Sequence, residues 1–153
     1  MATIETGPAV DSREFFEELA ARMDARPDHY LLLGFCDIDL GVVVHRPGTT
    51  DFRVLLRFAD YGCRAVEPFP EGAEDEASCY LEGDLGGFAE MVADIRAHGH
   101  ATARNTLSSL VLLGDRLRLV GADPMGVDRF FRYAETIQSF FDGAAPPAPE
   151  GAR

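Results

Sequence analysis

Hydrophobic and polar residues alternate with a period of two through the middle of the chain. Leu40, Val42 and Val44 alternate with Gly41, Val43 and His45, and Phe52, Val54, Leu56 and Phe58 alternate with Arg53, Leu55, Arg57 and Ala59. That period sends successive side chains to opposite faces, as half-buried strands require. Residues 63–67 read as a short third strand, and Ala77, Cys79 and Leu81 against Ser78, Tyr80 and Glu82 read as a fourth. Arg46-Pro47-Gly48 and Tyr61-Gly62 are turn signals, and turns that short join antiparallel neighbours. The pattern therefore predicts a meander, with the acidic, Pro- and Gly-containing segment 69–76 as its longest loop.

Helical spacing flanks this region. Asp11, with Glu14 three positions on, predicts a capped helix start, and Phe15, Phe16, Leu19, Ala20 and Met23 follow on one face until Pro27. The apolar stretch 30–35 is ambiguous between states. Phe88, Met91, Val92 and Ile95 fall at i, i+3, i+4 and i+7, up to Gly99. Ala103, Leu107, Leu110 and Val111 predict another helix that ends at Gly114, and residues 116–120 a fifth strand. Asp123-Pro124 opens a last helix, with the cap residue followed by Pro at the first helical position. Its stripe is Val127, Phe130, Phe131, Ala134, Ile137 and Phe141, and Gly143 stands at its C-terminal cap. Residues 1–11 read as a loose leader, 12–143 as one domain and 144–153 as a flexible tail.

The resulting order is helix, four strands, helices, strand, helix. It predicts an α+β fold, a mainly antiparallel five-stranded sheet with helices covering one face. Several segments make the chain resemble the sterol carrier protein type 2 family. Cys36-Asp37-Ile38-Asp39-Leu40-Gly41-Val42-Val43-Val44 is similar to the family's first strand. Ala77-Ser78-Cys79-Tyr80-Leu81-Glu82, leading to Phe88-Ala89-Glu90-Met91, is similar to a strand that runs into a helix. Gly114-Asp115-Arg116-Leu117-Arg118-Leu119-Val120-Gly121, followed by a helix near Met125, is similar to its Gly-bounded last strand and terminal helix. The resemblance spans residues 12–141 and implies a sterol-carrier-like domain with an apolar cavity between sheet and helices. The segment from Ile95 to Gly114 departs from the family by being longer and by carrying His98 and His100.

Charge and cysteines narrow the function classes. The 153 residues hold 26 Asp and Glu against 14 basic residues, a formal net charge of −12, and every basic residue is Arg. An acidic surface repels phosphate backbones and anionic headgroups, so nucleic-acid binding and membrane anchoring are not expected. No run approaches the ~18 apolar residues of a membrane helix. Residues 1–11 also lack the basic-then-apolar order of a secretory signal, so the expected location is cytoplasmic. Cys36, Cys63 and Cys79 are odd in number and form no Cys-x-x-Cys, which argues for buried thiols and against a disulfide framework or zinc knuckle.

Candidate chemistry is sparse. His98-Gly99-His100, with Asp94 one turn earlier, is the most metal-like spacing, but it names no closed ligand set, so neither a metal nor another cofactor is expected. The same residues with Tyr133 are the candidate acid–base groups. Ser108 and Ser109 lack a nucleophile elbow, and the glycines at 83–87 stand among acids that repel phosphate. The last helix carries Phe130, Phe131, Tyr133, Phe140 and Phe141, more aromatic circumference than one core stripe needs, with Tyr133, Ile137 and Phe140 as a second seam.

The favoured reading is a binding module for a hydrophobic or amphipathic small molecule, whether lipid, sterol-like or polyketide-like. Its expected lining is Phe88, Met91, Leu107, Leu110, Phe130, Tyr133, Ile137 and Phe140. The first alternative is a small cyclase or isomerase in the same cavity, using His98, His100, Tyr133 and Asp94. The second is an acidic chaperone or adaptor that binds protein segments. A homodimer is compatible with each.

Overall fold

The computed structural model describes residues 7–113, 116–121 and 123–146. The outer leader, the helix stop assigned to Gly114 and the outer tail lie outside the described residues. Helix α1 spans Arg13–Asp24, α2 Pro27–Leu33. Strands β1 (Ile38–His45), β2 (Phe52–Ala59) and β3 (Gly62–Pro68) follow. A single 3-10 turn at Glu74–Glu76 precedes β4 (Cys79–Asp84). Helix α3 (Leu85–His98) leads through a second such turn to α4 (Leu107–Leu112), and β5 (Leu117–Gly121), α5 (Pro124–Arg132) and α6 (Ala134–Asp142) complete the chain.

The sheet is five-stranded with order β3-β2-β1-β4-β5. Three pairings are antiparallel and β1 with β4 is parallel, Leu40 against Cys79 and Val44 against Gly83. The sheet is thus mixed, and the expected meander holds only through β3. The physical reason lies in β1. Its Val42, Val43 and Val44 are all buried, Val43 at 1% exposure on the face opposite the helices. A strand buried on both faces belongs at the sheet's centre and needs a partner on each edge. β2 takes one edge and β4, carried back by segment 69–78, takes the other.

The helices gather on one face, as the helical spacing predicts. Leu40, Val42, Val44, Leu56, Phe58 and Leu81 of the sheet join Phe15, Phe16, Phe88, Phe130, Phe140 and Phe141 in one buried core. The opposite face is closed by segment 69–78, with Phe69 and Ala77 packed on Val43 and Leu55. Gly41 makes room for that plug: a Cβ there would lie 2.6 Å from the Phe69 ring. Around it the face is charged, with Arg53 donating to the Phe69 carbonyl at 2.7 Å and Arg57 paired with Asp39, Glu67 and Glu76.

Helix boundaries differ from the sequence reading in three places. Ser12, not Asp11, caps α1: its hydroxyl accepts from the Phe15 N–H at 3.2 Å, while Asp11 turns to Arg46 at 3.6 Å. The ambiguous stretch 30–35 belongs mostly to α2, opened by Pro27 at its first turn and fastened to α6 by His29 Nε2 at 2.7 Å from the Ser139 hydroxyl. The last helix is two helices. Tyr133 has φ −106° and ψ 19°, a local break that turns α6 away from α5. Asp123 caps α5 as expected, accepting from Gly126 N–H at 3.0 Å. Gly126 is forced by close approach, since a Cβ there would overlap the Ser78 carbonyl.

Candidate ligand-binding site

The expected lining residues converge, and they converge on the core. Phe88, Met91, Leu107, Leu110, Phe130, Ile137 and Phe140 are all buried in the layer between sheet and helices. Aromatic rings fill much of it: Phe140 meets Phe58 edge-on at 5.0 Å and Phe141 at 5.6 Å, and Phe141 meets Phe16 at 6.0 Å. Edge-to-face contacts at these distances are favourable packing geometry. Tyr133 is half-buried at the α5–α6 break, its ring 6.2 Å from that of Phe35. Phe140, read from spacing as part of a second seam, is as deeply buried as Phe130.

Open apolar space lies on the other side of α3. A cavity of about 840 Å³ runs between α3 and residues 7–11. Leu85, Ala89, Val92, Ala93 and Ala97 form its helical wall, and Val10 and Pro146 close its far side. Arg96 crosses one end and donates to the Pro8 carbonyl at 2.9 Å. Residues 7–11 thus lie as a strap over the groove, with Val10 buried. Ser12 donates to the Ala9 carbonyl at 2.6 Å, and Arg46 reaches Asp11. The start of the tail is packed too, because Arg22 donates to the Ala145 carbonyl at 2.6 Å and Ala144 is buried. The sequence reading missed this groove. Its signal was Ala89, Ala93 and Ala97, small residues every fourth position on the outer face of α3.

Two of the acid–base candidates, Asp94 and His98, meet, while His100 and Tyr133 turn to other partners. Asp94 accepts from the Thr102 N–H at 2.6 Å and the Thr102 hydroxyl at 2.9 Å, and His98 Nδ1 lies 3.0 Å from a carboxylate oxygen of the same Asp94. The Thr102 backbone N–H above all holds the Asp94 carboxyl below its ordinary range. The carboxylate is occupied as a fastener of the turn after α3. His98 is exposed there, and His100 turns its Nδ1 to the Ala101 carbonyl at 3.0 Å. Tyr133 stands at the α5–α6 junction, in contact with Phe35. Among the described residues, no group of three or more His, Cys, Asp or Glu side chains is placed to hold a metal ion.

The three cysteines are buried and unpaired, and burial pushes each thiol up to about 12. A thiol that stays protonated at neutral pH is a poor nucleophile. Among the described residues no helix is long and apolar enough to cross a membrane.

An α+β domain with a mixed sheet, helices on one face and an apolar interior between them is the class these features define. No family model matches the sequence, and no curated protein matches it either. Solved structures do match. A crystal structure of sterol carrier protein 2 is similar with a TM-score of 0.67 at 16% identity, covering 91% of this chain and 99% of that one. A conserved hypothetical protein from Thermus thermophilus, described as a possible sterol carrier protein, is similar with a TM-score of 0.65 at 15% identity, covering 98% and 100%. Apo sterol carrier protein 2 from Yarrowia lipolytica is similar with a TM-score of 0.53 at 11% identity, covering 96% and 100%. The chain has the sterol carrier protein 2-like fold.

Proposed function

We propose that this protein binds and carries a hydrophobic or amphipathic small molecule: an acyl chain, a sterol-like ring system or a polyketide-like intermediate. The observation that carries the reading is the whole-length likeness to sterol carrier protein 2. The apolar groove under residues 7–11 supports it, because ligand pockets of this kind are mostly apolar with a few polar groups at the rim. In this proposal the ligand enters at the groove. Phe88, Met91, Leu107, Leu110, Phe130, Tyr133, Ile137 and Phe140 are the proposed interior wall, which is packed and has to part to admit it. The ligand gains roughly 25 cal/mol for each Å² of apolar surface it buries. Arg96, at one end of the groove, is the polar group proposed to orient it, with Tyr133 as the candidate deeper in.

Native mass spectrometry of protein purified from cells tests this directly. A co-purified apolar molecule, and saturable binding of a fluorescent fatty acid displaced by unlabelled competitor, are the expected results. Protein without bound small molecule that also takes up no probe saturably overturns the reading.

A further inference from the structure

We propose that His45 is a proton-controlled clasp on the turn between β1 and β2, and that losing its proton loosens one of the fasteners of the strap of residues 7–11. His45 ends β1, and both of its ring nitrogens face carboxylates. Nδ1 lies 3.0 Å from Asp51 and Nε2 lies 2.9 Å from Glu82. Both contacts are hydrogen bonds only when both nitrogens carry hydrogen, which means the imidazolium. A neutral ring would turn a lone pair toward one of the two carboxylates.

The surroundings decide which carboxylate leaves. Glu82 is held in β4 and reaches Arg118 of β5 at 3.6 Å. Asp84, the register partner of His45, stands at the end of β4. On β2, Arg53 is turned to the Phe69 carbonyl and Glu74. Arg46, Asp84 and Arg116 line a cleft of about 450 Å³ beside His45. Asp51 alone sits on the turn between β1 and β2, so the turn gives way. That turn is otherwise closed by Arg46, whose Nε donates to the Thr50 carbonyl at 2.8 Å.

The link to the groove is short. Arg46 is also the residue that reaches Asp11 of the strap. Leu85 lines both the cleft beside His45 and the apolar groove. Loosening the turn therefore loosens one of the strap's fasteners, leaving Pro8 on Arg96 and Ala9 on Ser12. The sign follows from linkage. The hydrogen bonds to Asp51 and Glu82 raise the imidazole above its ordinary value of 6.5. A raised basic group contributes stability that is complete below its unfolded value and lost as pH rises through its folded one. The clasp is closed while the imidazole holds its proton and opens as pH rises through its raised midpoint.

Only the second part of the test rests on the carrier reading. The first part needs no ligand: the His45 ring is titrated by NMR in the full chain, and the backbone chemical shifts of residues 7–11 and 46–51 are followed across the same pH range. The shifts of both segments move together through the His45 midpoint in one pH step. His45→Gln removes that pH step. Asp51→Asn, which keeps the ring, moves the midpoint to lower pH. A step that survives in His45→Gln, or a His45 midpoint at or below the ordinary value, overturns the clasp. The second part measures dissociation of a fluorescent fatty acid across the same pH range, and faster release above the midpoint is expected. Saturable binding with a release rate indifferent to pH and to His45→Gln overturns the link to the groove. Absence of any binding overturns the carrier reading, while the ligand-free titration still decides the clasp.

Discussion

The two faces of α3 are built from different residues and end in different states. On the inner face Phe88, Met91 and Ile95 are fully buried and packed into the core. On the outer face Ala89, Ala93 and Ala97 stop short of the strap, and a cavity remains. The aromatic side chains that mark the interior are the ones that fill it. Room for a ligand comes instead from missing side-chain volume, one methyl group every fourth position. A wide aromatic arc on a helix is thus evidence of burial, whereas open space has to be sought where a helix carries small residues and something else spans them.

That contrast breaks most sharply at the rings. Phe130→Ala and Phe140→Ala should each cost about 3–5 kcal/mol in denaturant unfolding, the usual effect of emptying a buried Phe site. Both residues are fully enclosed, so comparable losses are expected. A Phe140→Ala variant that loses less than half as much as Phe130→Ala would show that the seam beside Phe58 is not closed in solution. Val92 belongs to both faces, buried in the core and lining the groove. Val92→Ala should cost about 1–2 kcal/mol for its lost methyl groups and, because Val92 lines the groove, should weaken probe binding. Unchanged binding would place the ligand away from Val92. The smallest stability effect is expected at Ala93. Ala93→Leu fills the groove from an exposed position and should change stability by no more than about 0.5 kcal/mol, yet reduce uptake of a fluorescent fatty acid. Unchanged uptake would move the mouth of the site away from this groove.

Strands and core were legible in the sequence because a period of two needs only local information. Phe52 to Phe58 alternates cleanly and forms β2 with its apolar side on the core. The place of β4 was not legible, since a short strand after an acidic loop can pair with either neighbour. The run Val42-Val43-Val44 was the available sign, as three successive buried positions leave no solvent face. Ser12 displaced Asp11 as a cap because Asp11 is drawn to Arg46, 35 positions away in sequence. The break at Tyr133 was hidden by an apolar stripe that continues across it. The groove was least legible of all. It exists because residues 7–11 are held across α3, and one of the groups that hold them, Arg96, meets Pro8 from 88 positions away. Among the proposed lining residues, burial was readable from helical spacing, but whether buried residues enclose space depends on what packs opposite them.

The parallel pairing at the centre of the sheet has a consequence for how the chain assembles. β1 and β2 are joined by a short turn and can form a hairpin from local contacts, and β3 can extend it. β4 cannot dock until segment 69–78 has crossed the sheet, because Leu40 must find Cys79 and Val44 must find Gly83. Pairings between distant positions must overcome loop-closure entropy before they contribute, and they slow folding. The β1 edge that β4 finally covers stays bare during that interval. On a ribosome it would remain bare until Cys79–Asp84 had emerged, a transient unpaired edge of the kind that invites aggregation. The β1–β4 and β4–β5 registers are thus expected to form after the β1–β2–β3 meander.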